Sequence, residues 1–220
     1  MKNLLACATL AIALLPFQDP NLSAQAAGNT VRWAEGAPNA SSEVKNDTKI
    51  EGINTDDAHI FVSLAEIKET EYNRVWIQIF NHSKTAINFD PQSAILINEK
   101  DKTLRAEVPS KAANSIQNFG EAKSQELSSA HCENMVATQC QPTSAQLQVS
   151  KQVAAYSSQQ AQWVRDNGLA QKSIAPGANL EGYIVFKKDK KKSSYTLKVM
   201  VGTQVFEFPV TADNKAPNFD

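Results

Sequence analysis

The sequence predicts a mainly β protein, an antiparallel β-sandwich carrying an α-helical insertion. Two observations carry this. On both sides of the chain's middle, apolar and polar residues alternate with the period of two that marks half-buried strands. Val75, Ile77 and Ile79 alternate with Trp76, Gln78 and Phe80, and Tyr195, Leu197, Val199 and Val201 precede a matching Phe206, Phe208 and Val210. Between these blocks, over residues 110–170, the apolar spacing lengthens to three and four, which places side chains on one face of a helix. Because strands flank the helices on both sides, the helices are expected as an insertion in the β domain of residues 58–210.

Residues 1–26 read as a signal peptide. Lys2 supplies a basic start, Leu4 to Leu15 an apolar run, and Ala24-Gln25-Ala26 a small-residue cleavage site. The run is well short of the roughly 20 residues that span a bilayer, so no stable membrane span is expected after cleavage. Residues 27–57, small and polar apart from Trp33, Ile50 and Ile53, are expected as a loosely ordered lead-in. Trp33 or the isoleucines could pin a short edge strand there.

Strands are expected at His59–Leu64 and Tyr72–Phe80. After the polar turn Asn81-His82-Ser83-Lys84, Ile87 and Phe89 resume the alternation before Asp90-Pro91, and further strands follow at Ala94–Ile97 and Thr103–Val108. Ala112, Ile116 and Phe119 then mark one helix, with Gly120 suited to its C-terminal cap. Thr143 and Gln146 form a capping box for a second, whose stripe is Val149, Val153, Tyr156, Trp163 and Val164 and which Asn167-Gly168 closes. Leu180–Phe186, Tyr195–Val201 and Gln204–Val210 complete about seven short strands, the count and spacing of a sandwich. Gly202-Thr203 is a two-residue link with the Gly-x signature of a type II′ hairpin, and residues 211–220 are a tail.

Cys7 leaves with the signal, which leaves Cys132 and Cys140 in an oxidising compartment, where a disulfide is expected between them. Closing so short a loop contributes about 2–3 kcal/mol on the chain-entropy argument. The competing metal site from His131, Cys132 and Cys140 lacks a fourth ligand nearby. The formal net charge of −1 gives no electrostatic pull toward nucleic acid.

The run Val75-Trp76-Ile77-Gln78-Ile79-Phe80-Asn81-His82-Ser83 resembles the strand, Asn, turn element of exported bacterial immunoglobulin-like domains of unknown function. Ile174-Ala175-Pro176-Gly177 leading into Gly182-Tyr183-Ile184-Val185-Phe186 is similar to their Pro-Gly and Gly-aliphatic-x-Phe element, and Tyr195–Val199 with Phe206–Phe208 completes the pattern. The resemblance covers about half of the chain beyond the signal. It implies a bacterial source and an immunoglobulin-like β-sandwich, and it supplies no catalytic residues. The inserted helices and the cysteine loop depart from it.

Chemistry-bearing motifs are sparse. His59, His82 and His131 share no metal-ligand spacing, and no Gly-x-Ser-x-Gly elbow is present. Asp56, Asp57, Glu66, Glu69 and Glu71 cluster in charged, loop-like sequence that solvation explains. No catalytic residue, cofactor or metal is therefore expected. The candidate interaction residues are Lys187, Lys188, Lys190, Lys191 and Lys192, at a solvated hairpin tip that could meet an anionic polymer or headgroup, and Tyr156 and Trp163 on the second helix, where core packing is the favoured reading. The expectation is a non-enzymatic exported protein, periplasmic or extracellular, with a binding or accessory role toward an envelope protein or polymer. The alternatives are an assembly factor that captures an extended segment at a strand edge, and an envelope enzyme.

Overall fold

A computed structural model describes residues 30–45, 48–67, 70–129, 141–189 and 194–211. The expected signal peptide over residues 1–26, Cys132 and Cys140, Lys190 to Lys192, Glu69, His131 and all of the tail after Thr211 lie outside the described residues. The described chain is mainly β, with twelve strands, two α-helices and a short 3-10 turn at Pro91–Ser93. In order these are β1 (Thr30–Arg32), β2 (Ala40–Lys45), β3 (Thr48–Asn54), β4 (Ala58–Glu66), β5 (Tyr72–Asn81), β6 (Ile87–Phe89), β7 (Ile95–Asn98), β8 (Thr103–Glu107), α1 (Pro109–Ser128), α2 (Ser144–Asn167), β9 (Lys172–Ile174), β10 (Asn179–Lys187), β11 (Ser194–Val201) and β12 (Gln204–Thr211). Among the described residues no helix is long and apolar enough to cross a membrane.

The strands form one curled sheet in the order β1-β12-β11-β7-β8-β10-β5-β4-β3-β2, with β6 joining β11 to β9. Pairing is antiparallel except for β1 beside β12, so the sheet is mixed. Two separate antiparallel sheets were the sequence expectation, and β8 is where the structure differs. Its residues 103–105 pair with β7, while Ala106 and Glu107 pair with Phe186 and Val185 of β10, carrying the hydrogen bonding from one half to the other.

The curl brings two apolar faces together. Ile53, Ile60, Val62, Val75, Ile77, Ile79 and Phe186 from one half pack against Phe89, Leu96, Leu197, Val199, Phe206 and Phe208 from the other. Each is buried, as the period-two reading of their strands requires. Gly202 opens the β11–β12 turn at φ +61, a left-handed conformation that glycine adopts without a Cβ penalty. Thr203 beside it keeps a negative φ, which is the type II′ arrangement.

The lead-in expected over residues 27–57 is instead largely strand. β3 pairs with β4 on one side and β2 on the other. Its isoleucines explain why: Ile53 enters the concave core and Ile50 packs on the convex face with Trp76 and Tyr183. Two apolar anchors on opposite faces suffice to hold a strand whose other residues are small or polar.

The helices also depart from expectation in detail. α1 does not stop at Gly120 but runs on to Ser128. Gly120 is where α1 meets α2, because a Cβ there would run into the Cβ and Oγ of Ser157. The capping box at Thr143 and Gln146 is present, with the Gln146 N–H donating to Thr143 Oγ1 at 3.2 Å. Of the expected stripe on α2, only Val164 is buried, and Val149 is exposed. The buried line is Ser150, Ser157, Ala161 and Val164. Small residues win because the helices approach too closely for an apolar stripe, and the Ser150 hydroxyl instead donates to Ser124 C=O at 2.9 Å.

At the sheet-proximal end, α1 and α2 cover the convex face of β5 and β10. Ala112, Ala113, Ile116, Ala161 and Val164 pack with Tyr72 and Val185. Beside them Trp163 meets Tyr183 edge-on at 4.5 Å and closes over Trp76, whose Nε1–H donates to Glu181.

Two predictions follow from this packing. Gly120→Ala should lower stability by about 1–3 kcal/mol in urea denaturation through overpacking, and Ser157→Gly in the same chain should recover most of the loss. The second concerns Glu51, which shares the concave face of β3 with Ile53 and is 3% exposed. Its Oε1 accepts from Lys49 at 2.6 Å, while its Oε2 has no hydrogen-bond partner. Burial pushes its carboxyl above the ordinary value, against the pull of Lys49. A raised carboxylate pKa favours the fold at low pH, and that contribution is lost as pH rises through the folded value. Glu51→Gln should therefore be more stable than the parent at pH 7, with the difference vanishing below about pH 4.5, the ordinary carboxylate range. Denaturation midpoints from pH 4 to 8 read this directly.

Candidate functional site

Antiparallel connectivity gathers three turns at one end of the curled sheet. They are the β3–β4 turn at Asp57, the loop from β5 to β6, and the β11–β12 hairpin at Gly202. Between them lies a cleft of ≈ 340 Å³. Its polar wall is made by Asp57, Ser83, Thr85, Asn88, Thr203 and Gln204, and Ile87 and Val201 contribute apolar surface.

One buried side chain shapes this end. Asn81, 1% exposed at the end of β5, donates through Nδ2 to Thr85 C=O at 2.9 Å and to Ile174 C=O at 2.8 Å. Its Oδ1 accepts from the Ser83 N–H at 2.9 Å and the Ser83 hydroxyl at 2.7 Å. Both amide hydrogens and both acceptor sites are thus used, and the β5–β6 loop is bound to β9 across the chain. Asp57 C=O accepts from the His82 and Ser83 N–H groups, and the Gly202 N–H donates to Asn88 C=O at 3.0 Å. The cleft walls are therefore held by backbone bonds and by the Ser83 hydroxyl, which is committed to Asn81 and Thr85, so the groups left to meet a ligand are those of Asp57, Thr85, Asn88, Thr203 and Gln204.

The wall offers hydroxyls, carboxamides and one carboxylate. That set matches a small ligand rich in hydroxyl or amide groups, neutral or cationic, whereas an anion would meet Asp57 unfavourably. The volume lies toward the lower end of the usual range for ligand clefts.

Next to this end, on the convex face, the structure brings together two histidines that sequence spacing left apart. The His59 and His82 rings are 6.5 Å apart between centroids, with Phe61 at 4.1 Å from His59 and Phe80 stacked beside His82. Burial first, and then the neighbouring His82, hold the His59 imidazole below its ordinary value. Among the described residues no three His, Cys, Asp or Glu side chains converge as a metal site.

The other sequence candidates are dispersed. Lys187 reaches Glu71 at 3.5 Å, and Lys188 reaches Glu66 and Ile67 C=O, each at 3.2 Å. Glu66 and Glu71 are thus ion-pair partners at the far end of β5, while Asp56 and Asp57 lie in the β3–β4 turn. Trp163 is half-buried between α2 and the sheet, with the Arg74 guanidinium 4.6 Å from its ring centroid, and Tyr156 is half-buried on α2. Burial lowers the Arg74 pKa, with Tyr183 and Tyr156 opposing it.

Asp57 and the Asn81–Ser83 turn were visible in the sequence, but Thr85, Asn88, Thr203 and Gln204 were not singled out. A signal for them did exist. Strand-by-strand reversal puts the Asn-His-Ser-Lys turn and the Gly202-Thr203 turn at one end once the pairing order is known. Asn81→Ala should cost about 1–3 kcal/mol, since it leaves the carbonyl of buried Ile174 without the carboxamide donor and unties the Ser83–Thr85 turn. Amide exchange at Ser83 and Thr85 should accelerate with it.

No protein-family model matches the chain, and no curated protein matches it in sequence. Among solved structures it is similar to the yjhA protein from Bacillus subtilis, a crystal structure, at a TM-score of 0.32 and 10% identity over 83% of this chain and 98% of that one.

Proposed function

We propose that this is an exported, non-enzymatic binding protein of a bacterial envelope, of the immunoglobulin-like sandwich type, whose recognition site is the end cleft. The carrying observation is the convergence of three sequence-distant turns on one polar cavity, stiffened from below by Asn81. Binding sites concentrate on loops held by a rigid scaffold, and this one has that arrangement. The hydroxyl and amide lining favours an envelope component with the same groups, such as an N-acetylated glycan, over a polyanion. Export rests on the basic start and apolar run of residues 1–26.

An NMR titration with chitotriose, a neutral probe rich in amides and hydroxyls, tests this. Shifts should cluster at Ser83, Thr85, Asn88, Thr203 and Gln204, and Thr203→Trp should abolish them by filling the cleft. A heparin fragment should leave those resonances unmoved. Chitotriose shifts that survive Thr203→Trp, or none in the parent, would remove the cleft as the site of this function.

A further inference from the structure

One end of the sheet order is β2, and no described strand covers its outer side. Hydrogen-bond parity decides what that edge presents. The Asn54 N–H donates to Asn39 C=O at 2.8 Å, and Ala40 lies opposite Ile53, so the odd-numbered residues of β2 turn their backbone groups toward β3. Alternation then turns the N–H and C=O of Ser42 and Val44 to the open side. Side chains alternate as well. Val44 is 72% exposed and shares a sheet face with Ser42, while Glu43 and Lys45, both exposed, lie on the other.

We propose that β2 pairs antiparallel with β2 of a second copy of this chain, about a two-fold axis through Val44. In this register Val44 meets Val44, and Glu43 of each copy lies opposite Lys45 of the other. Two ion pairs and one apolar contact then form from three consecutive residues. Neighbouring registers lack this match. An axis through Glu43 sets two carboxylates face to face, and an axis through Ser42 sets each Glu43 against Ser41. Val44 with Val44 becomes the hydrogen-bonded pair, because both backbones face the edge. Glu43 with Lys45 becomes the non-hydrogen-bonded pair, where the chains approach to about 4.5 Å between Cα atoms.

Such a contact uses the same patch on both partners and closes at two copies. An edge carrying lysine alone repels its own kind. Glu43 and Lys45 in alternation accept one partner well, an antiparallel copy of themselves. The inference is independent of the cleft and of its ligand.

Sedimentation velocity over a concentration series tests it. The purified protein should show a reversible dimer that weakens as salt screens the ion pairs. Glu43→Lys places lysines opposite each other and should raise the dimer dissociation constant about tenfold or more. The charge swap E43K/K45E should return it to near the parent value. Val44→Pro removes only an outward-facing N–H, which an edge strand tolerates, and should give a monomer with an unchanged melting temperature. Should Val44→Pro unfold, the two charge variants, confined to exposed side chains, still decide. A protein monomeric at every concentration, a dimer indifferent to Glu43→Lys, or a charge swap that fails to restore it would each overturn the proposal. Capture of an unrelated extended peptide without self-association would overturn it as well.

Discussion

The constraint on which the rest of the structure depends is that β5 is paired along its length on both sides and buried on both faces. Nine residue pairs join it to β4 and nine to β10. Strand alternation then sends Val75, Ile77 and Ile79 to the concave side and Tyr72, Arg74 and Trp76 to the convex side. The concave set meets the β6–β7–β11–β12 half of the same curled sheet. Large side chains on the convex set require a second cover, which the helices between β8 and β9 supply. Arg74 records how complete that cover is. Its Nε lacks a hydrogen-bond partner, and its guanidinium lies against the edge-on Trp163–Tyr183 pair, 4.6 and 5.4 Å from their ring centroids. Cation–π attraction stands in for the water that burial removed.

The helices serve two different neighbours along their length. Near the sheet, apolar residues from Ala112 to Ile116 and from Ala161 to Val164 meet Tyr72 and Val185. Farther out the two helices meet chiefly each other, through Gly120, Ser124, Ser150 and Ser157. Small residues permit close approach, and Ser150 Oγ, whose proton goes to Ser124 C=O, accepts there from the Ser124 hydroxyl at 2.8 Å. The cover is thus anchored apolarly at one end and packed by fit at the other. Phe119 and Val149, periodic in sequence, remain exposed because the contact surface lies a step around each helix from where they point.

The cleft arises from the same topology. Antiparallel strands return the chain to one end repeatedly, so turns distant in sequence become neighbours without any local signal of it. Asn81 turns that coincidence into a defined shape, since one carboxamide binds a loop of its own strand and the last residue of β9 together. Buried and fully bonded, it has little freedom to be replaced by a residue with fewer donors.

By itself the sequence determined the β class, the alternation of the strands, the helical insertion, the capping box at Thr143 and the II′ turn at Gly202. These are short-range matters, in which periodicity, φ preference and side-chain-to-backbone bonds act within a few residues. Tertiary structure alone decided the remainder. It recruited Thr48–Asn54 into the sheet, because Ile50 and Ile53 have value only once both faces exist to receive them. It made Gly120 a helix contact, since a glycine seen in isolation reads as a stop. It joined the two halves through β8, set Thr85, Asn88, Thr203 and Gln204 around one cleft, and brought His59 beside His82. Each of these depends on which strands pair, a choice made by burial across the whole chain and not written in any local stretch.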